Sequence, residues 1–118
     1  MAKTAIVILA GTEGHDNLGR LVNGLITARE SVETDGDEVK LIFDGAGTQW
    51  IPELEEPESD HFDLFRAVKD HASACDFCSS AFGVDEAVDE SEIPRLDEYG
   101  GHPSLRSLVE EGYEVLTF

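Results

Sequence analysis

Basic residues are scarce in this sequence. Eight Lys plus Arg stand against 26 Asp plus Glu in 118 residues, a formal net charge of −18, and only Lys3, Lys40 and Lys69 are lysines. A field of that sign repels phosphate backbones and anionic lipid, so neither nucleic acid nor a membrane surface is an expected partner. Long apolar runs are missing as well. The longest, Thr4 to Ala10, is far short of the ~20 residues a membrane helix needs. It follows Met-Ala-Lys directly, without the separate basic, apolar and cleavage regions of a secretory leader. A soluble, cytoplasmic protein is expected. Cysteine is limited to two residues, too few for a disulfide framework. No Gly-x-Ser-x-Gly elbow is present, and Gly11-Thr-Glu-Gly14 lacks both the dinucleotide fingerprint and the lysine of a phosphate loop, so hydrolase and nucleotide readings have little support.

The acids that are present spread over every predicted helix and loop instead of forming one block. At molar salt the Debye length falls to ~3 Å, which screens the self-repulsion such a surface creates. The pattern reads as the surface of a halophilic protein, of the kind made by a salt-in archaeon, with an acidic protein that meets a basic partner as the alternative. An apolar fraction of 41% supplies one core for a single domain over residues 1–118.

Thr4 to Ala10 is an unbroken, β-branched apolar run closed by Gly11, the signature of a strand buried on both faces. Glu38 to Asp44, His71 to Cys75 and Tyr113 to Phe118 read as further strands, with a brief extra one at Ile93 to Leu96. Between them, Asp16 is the predicted N-cap of a helix over Asn17 to Val32, in which Gly19 and Gly24 suggest close packing on the sheet. Thr48 caps a short turn, and a helix runs from Ser59 or Asp60 to Asp70. Another follows Cys75 to Gly83. The last has Pro103 at its first position, Leu105, Leu108 and Val109 inward, and Gly112 as its cap. Alternating strands and helices predict an α/β fold, mainly parallel, with helices on both faces.

Chemistry concentrates at Cys75 and Cys78, spaced C-x-x-C where a central strand gives way to a helix. Reaction sites in open α/β sheets gather at the carboxyl ends of strands. A helix N-terminus there favours thiolate, the species that attacks sulfur or binds a soft metal, whereas adjacent Asp76 disfavours a second anion. Zinc or copper on Cys75, Cys78 and His15 or His102 fits the ligand types. No second C-x-x-C or H-x3–5-H element accompanies them, so no metal and no cofactor is expected. The alternative for both cysteines is burial as small hydrophobes.

Three segments together, the opening strand with its Gly-containing helix, the loop Ala74-Cys-Asp-Phe-Cys-Ser-Ser-Ala-Phe-Gly-Val84 and the ending Gly112-Tyr-Glu-Val-Leu-Thr-Phe118, resemble the DsrE/DsrF-like family. These are small α/β proteins with flavodoxin-like layering, similar to the sulfur-relay subunits of dissimilatory sulfite metabolism and tRNA thiolation. The resemblance implies a persulfide on Cys75, sulfur donor and acceptor proteins as partners, and a homo-oligomer, trimer or hexamer. On this reading Cys78 resolves the persulfide as a Cys75–Cys78 disulfide, with His15, His102 or Tyr99 supplying a proton or hydrogen bond. Two other readings stay open: a non-catalytic oligomeric binding module with structural or redox-clasp thiols, and a metal-binding protein.

Overall fold

The computed structural model describes Met1–Phe118. Strands β1 (Lys3–Ile8), β2 (Glu38–Phe43), β3 (Ala72–Cys75), β4 (Arg95–Leu96) and β5 (Glu114–Thr117) form one sheet. Their order is β4-β3-β2-β1-β5 and every pairing is parallel. Six helices connect them: α1 (His15–Val32), α2 (Trp50–Leu54), α3 (Phe62–Val68), α4 (Asp76–Ala81), α5 (Asp85–Ser91) and α6 (Leu105–Glu110).

This strand order explains an unequal layering. The chain steps from β1 to β2, β3 and β4 in one direction, then returns past β1 to place β5. Right-handed crossovers put the outgoing helices on one face and the returning one on the other. Accordingly Ile6, Ile8, Leu41, Phe43, Ala72 and Ala74 pack with residues of α1, α2, α3 and α5 in the main core. The alternate residues Ala5, Val7 and Ile42 meet only Leu108 of α6 as a buried partner. Helices thus lie on both faces, one thick layer and one thin.

Local details depart from the expectations in several places. Thr48 does not cap α2, whose N-cap is Gln49, and α3 begins at Phe62 after His61, not at Ser59 or Asp60. Gly14, with φ 88°, is the N-cap of α1 and no side chain caps it. Asp16 lies inside the first turn, where its carboxylate accepts the Asn17 N–H at 3.0 Å. At α6 the cap is Ser104, whose Oγ accepts from Ser107 N–H, so Pro103 precedes the helix, and Val109 faces solvent at 62% exposure. The acidic helix α5 was not anticipated, because Val88 is its one buried aliphatic residue and no apolar stripe marks it.

Gly24 is confirmed as a close approach: a Cβ there would collide with the Ile8 side chain and meet the Phe118 ring. Gly19 has open space around it, so packing does not account for it. The indole N–H of Trp50 donates to the Ala10 carbonyl at 2.9 Å, tying the turn after β2 to the end of β1. No helix is long and apolar enough to cross a membrane.

Candidate functional site

Cys75 is at once the last residue of β3 and the N-cap of α4. Strand alternation puts Ala74 into the main core, which turns Cys75 to the opposite face. Its Sγ accepts the Cys78 backbone N–H at 3.3 Å, while its carbonyl accepts the Ser79 hydroxyl at 2.7 Å. Both thiols are free and buried, and Cys75 has no exposed surface.

The neighbouring strand supplies the third group. Phe43 of β2 pairs in register with Ala74 of β3, so the next step of the ladder sets Asp44 beside Cys75. Phe43 points into the main core, and alternation sends Asp44 to the thiol side. Its Oδ1 accepts the Gly45 N–H at 2.8 Å and lies 3.6 Å from the Cys78 sulfur.

The fourth group arrives on a tight hairpin. Gly100 and Gly101 adopt φ of 59° and 86°, a region open to glycine at little cost. Tyr99 and His102 exchange two backbone hydrogen bonds of 2.9 Å each across this turn. Gly101 carbonyl accepts the Phe77 N–H at 2.9 Å, and the Phe77 and His102 rings lie 4.9 Å apart between centroids. These contacts hold His102 Nδ1 at 3.4 Å from Cys75 Sγ. One ligand-type atom from each of Asp44, Cys75, Cys78 and His102 therefore falls within 4.8 Å of every other.

Of the residues singled out from the sequence, Cys75, Cys78 and His102 come together. His15 does not join them: it opens α1 on the exposed surface after β1, and β2 stands between β1 and β3, about two strand spacings of ~4.8 Å away. Tyr99 shares the hairpin through its backbone, but its side chain is 79% exposed. Asp44 was missed. Its signal was faint: an Asp before Gly45 at a strand end reads as a turn residue, and only the β2–β3 register brings it to the thiols.

The electrostatics also correct the sequence reading. Burial pushes the Cys75 thiol up to about 12, with the Cys78 thiol and the Asp44 carboxylate adding to the rise and the Cys78 N–H opposing it. α4 has six residues, and its N-terminal field does not overcome the loss of water. Asp76 is not the opposing carboxylate, because Arg95 Nη1 pairs with it at 3.3 Å. Arg95 also binds Asp85 at 2.9 Å and Asp89 at 3.1 Å, clamping β4 to α4 and α5. An open groove of about 480 Å³ at the ends of β1 and β5, lined in part by Asn17, Arg20 and Phe118, contains none of the four clustered groups.

No protein-family model matches the chain. Its fold is similar to the structure of the conserved protein of unknown function BT1422 from Bacteroides thetaiotaomicron, with a TM-score of 0.65 and 16% identity over 97% of this chain and 94% of the other. In sequence it is similar to the uncharacterized protein MJ0733 of Methanocaldococcus jannaschii, 31% identical over 103 residues that make up 85% of this chain and 81% of that one. At that identity and coverage, the chain belongs to the same family as MJ0733.

Proposed function

We propose that this protein is a sulfur carrier of the DsrE/DsrF-like type, holding a persulfide on Cys75. The observation that carries the reading is the 3.4 Å approach of His102 Nδ1 to Cys75 Sγ. A buried thiol is a poor nucleophile until a base takes its proton, and an imidazole within reach is the usual base. With the proton on His102, the Cys75 thiolate attacks the terminal sulfur of a donor persulfide, R–S–SH. A new Cys75–S–SH bond forms, the donor S–S bond breaks, and the released thiolate recovers the proton from His102. An acceptor nucleophile then takes the terminal sulfur. Alternatively the Cys78 thiolate attacks the inner sulfur, expelling hydrosulfide and leaving a Cys75–Cys78 disulfide that two equivalents of external thiol reduce. Because Cys75 has no exposed surface, donor access requires a local opening that leaves His102 in contact with its sulfur. Such chemistry suits a reducing compartment such as the cytoplasm, an oligomer of the kind the family resemblance implies, and a halophilic setting for the acidic surface.

Intact-mass spectrometry in molar salt tests this after incubation with a persulfide donor. A gain of one sulfur, removed by reductant, lost in Cys75→Ser and longer-lived in Cys78→Ser, is the expected result. Equal loading of both variants overturns the assignment to Cys75. The second reading, a binding module with structural thiols, is favoured by the complete burial of Cys75. No mass gain, with both thiols inert to alkylation until the chain unfolds, establishes it.

A further inference from the structure

We propose that Asp44, Cys75, Cys78 and His102 form a tetrahedral site for a borderline-soft divalent cation of the zinc class. The inference goes beyond the sulfur-carrier reading and stands on different evidence, the mutual geometry of four donor atoms. Thiolate sulfur binds zinc at ~2.3 Å and imidazole nitrogen or carboxylate oxygen at ~2.0–2.1 Å. Two such donors on a tetrahedral ion are then about 3.6 Å apart. The Cys75–His102 pair stands at 3.4 Å and the Cys78–Asp44 pair at 3.6 Å. Each pair already spans one edge of the tetrahedron, and no donor is more than 4.8 Å from any other.

The donor set is selective. Two thiols with one imidazole suit zinc, whereas magnesium and calcium take oxygen ligands. The chain has many carboxylates, but the one in this cluster is fixed: Asp44 Oδ1 already accepts the Gly45 N–H at 2.8 Å. The Cys78 N–H on Cys75 Sγ tempers the charge of that ligand, a typical outer contact of a metal thiolate. Without a cation the arrangement sets a carboxylate against two buried sulfurs. Binding releases the two thiol protons to solvent, and the resulting thiolates and carboxylate share the dipositive ion. A metal on both sulfurs excludes sulfane sulfur from Cys75, so occupancy by metal and by persulfide is mutually exclusive.

Cobalt(II) is the probe, because thiolate ligation gives it near-ultraviolet charge-transfer bands and tetrahedral geometry intensifies its visible bands. The full-length reduced protein is titrated in molar salt with excess magnesium to occupy surface carboxylates. The expected result is saturation at one cobalt per chain, bleached by one equivalent of zinc. Cys75→Ser and Cys78→Ser each weaken the charge-transfer bands, and Asp44→Asn and His102→Gln each lower affinity at least about tenfold. The Asp44→Asn substitution keeps an acceptor for the Gly45 N–H, and near-ultraviolet circular dichroism of the metal-free variants reports that each is folded. Absence of the charge-transfer bands overturns the site. So does binding that survives both serine variants, or affinity unchanged in Asp44→Asn and His102→Gln. Sulfur loading is read separately on metal-free protein. Loading without cobalt binding overturns the metal site alone, and cobalt binding without loading supports the metal site while removing the carrier reading.

Discussion

Asp44 Oδ1 and Cys78 Sγ stand 3.6 Å apart although 34 positions separate them in sequence. One residue directly follows a strand and the other lies in the first turn of the helix after the neighbouring strand. Parallel pairing of β2 with β3 brings them together. The carboxylate therefore belongs to the electrostatics of the site, and it opposes a negative charge on Cys75.

Replacing Asp44 by Asn removes that opposition while keeping the acceptor for Gly45. Asp44 raises the Cys75 thiol, but burial is the larger cause. The thiol of the variant therefore falls from about 12 yet stays above the ordinary 9.0. Alkylation of native, metal-free Cys75 at pH ~9 should accelerate by up to about tenfold, one pKa unit corresponding to a tenfold change in thiolate. Peptide-level mass spectrometry of the iodoacetamide time course reads this, and an unchanged or slower rate contradicts it.

The same thiol makes stability fall in alkali. Its folded value of about 12 exceeds the ordinary 9.0, so the native state holds this proton more tightly than the unfolded chain. The contribution is complete below pH 9 and is lost as pH rises from there toward 12, at up to about 1.4 kcal/mol per pH unit. Urea unfolding of metal-free protein at pH 8 and pH 10 should show a drop that Cys75→Ala largely abolishes. An equal drop in both proteins contradicts the assignment.

Two glycines of α1 should respond in opposite directions. Gly19→Ala adds a methyl to open space and should stabilise by up to ~1 kcal/mol through helix propensity. Gly24→Ala drives a methyl into Ile8 and the Phe118 ring, and overpacking of that kind costs ~1–3 kcal/mol. Thermal unfolding of the two variants tests the pair. A gain in both would mean that α1 moves off β1 freely.

Arg95 holds three carboxylates, Asp76, Asp85 and Asp89. Arg95→Gln leaves those charges facing one another. The partners are substantially exposed, so each pair is worth only ~0.2–1 kcal/mol, and the variant should lose about 1–2 kcal/mol, a few degrees in Tm, at low ionic strength. Asp89→Asn alone should cost less than half as much.

Net charge predicts a rise of wild-type Tm with salt. Twenty-six acids against eight Lys plus Arg repel most strongly at low ionic strength, and screening removes the effect. Differential scanning calorimetry from 0.1 M to 3 M KCl should show a continuous increase. A flat or falling profile contradicts the reading of the surface as salt-adapted.

β1 and the end of β2 were legible because their apolar runs are nearly continuous, as burial on both faces requires. β5, by contrast, was legible from its run Tyr113-Glu-Val-Leu-Thr-Phe118 although it is largely exposed. Cys75 and Cys78 were legible by spacing and by their place at a strand end. His102 could be named from its Gly-Gly-His-Pro context, but not its approach to Cys75, which depends on two positive-φ glycines and the Phe77 N–H. Asp44 was hidden among many carboxylates, since sequence does not state which strand lies beside which. The resting state of Cys75 was misread for a related reason. The helix after it was visible, whereas the cover that dries it comes from a hairpin 26 residues farther on, where Gly101 O lies 3.8 Å from its sulfur.

On β2, Phe43 belongs to the main core and its neighbour Asp44 belongs to the thiol cluster. Adjacent residues on a strand face opposite ways, so a slip of one position would exchange them. A carboxylate would enter the thick apolar layer and an aromatic ring would fill the thiol site. A slipped β2 would thus lose core and cluster together, which makes the reactivity of the two sulfurs a reporter of strand registration.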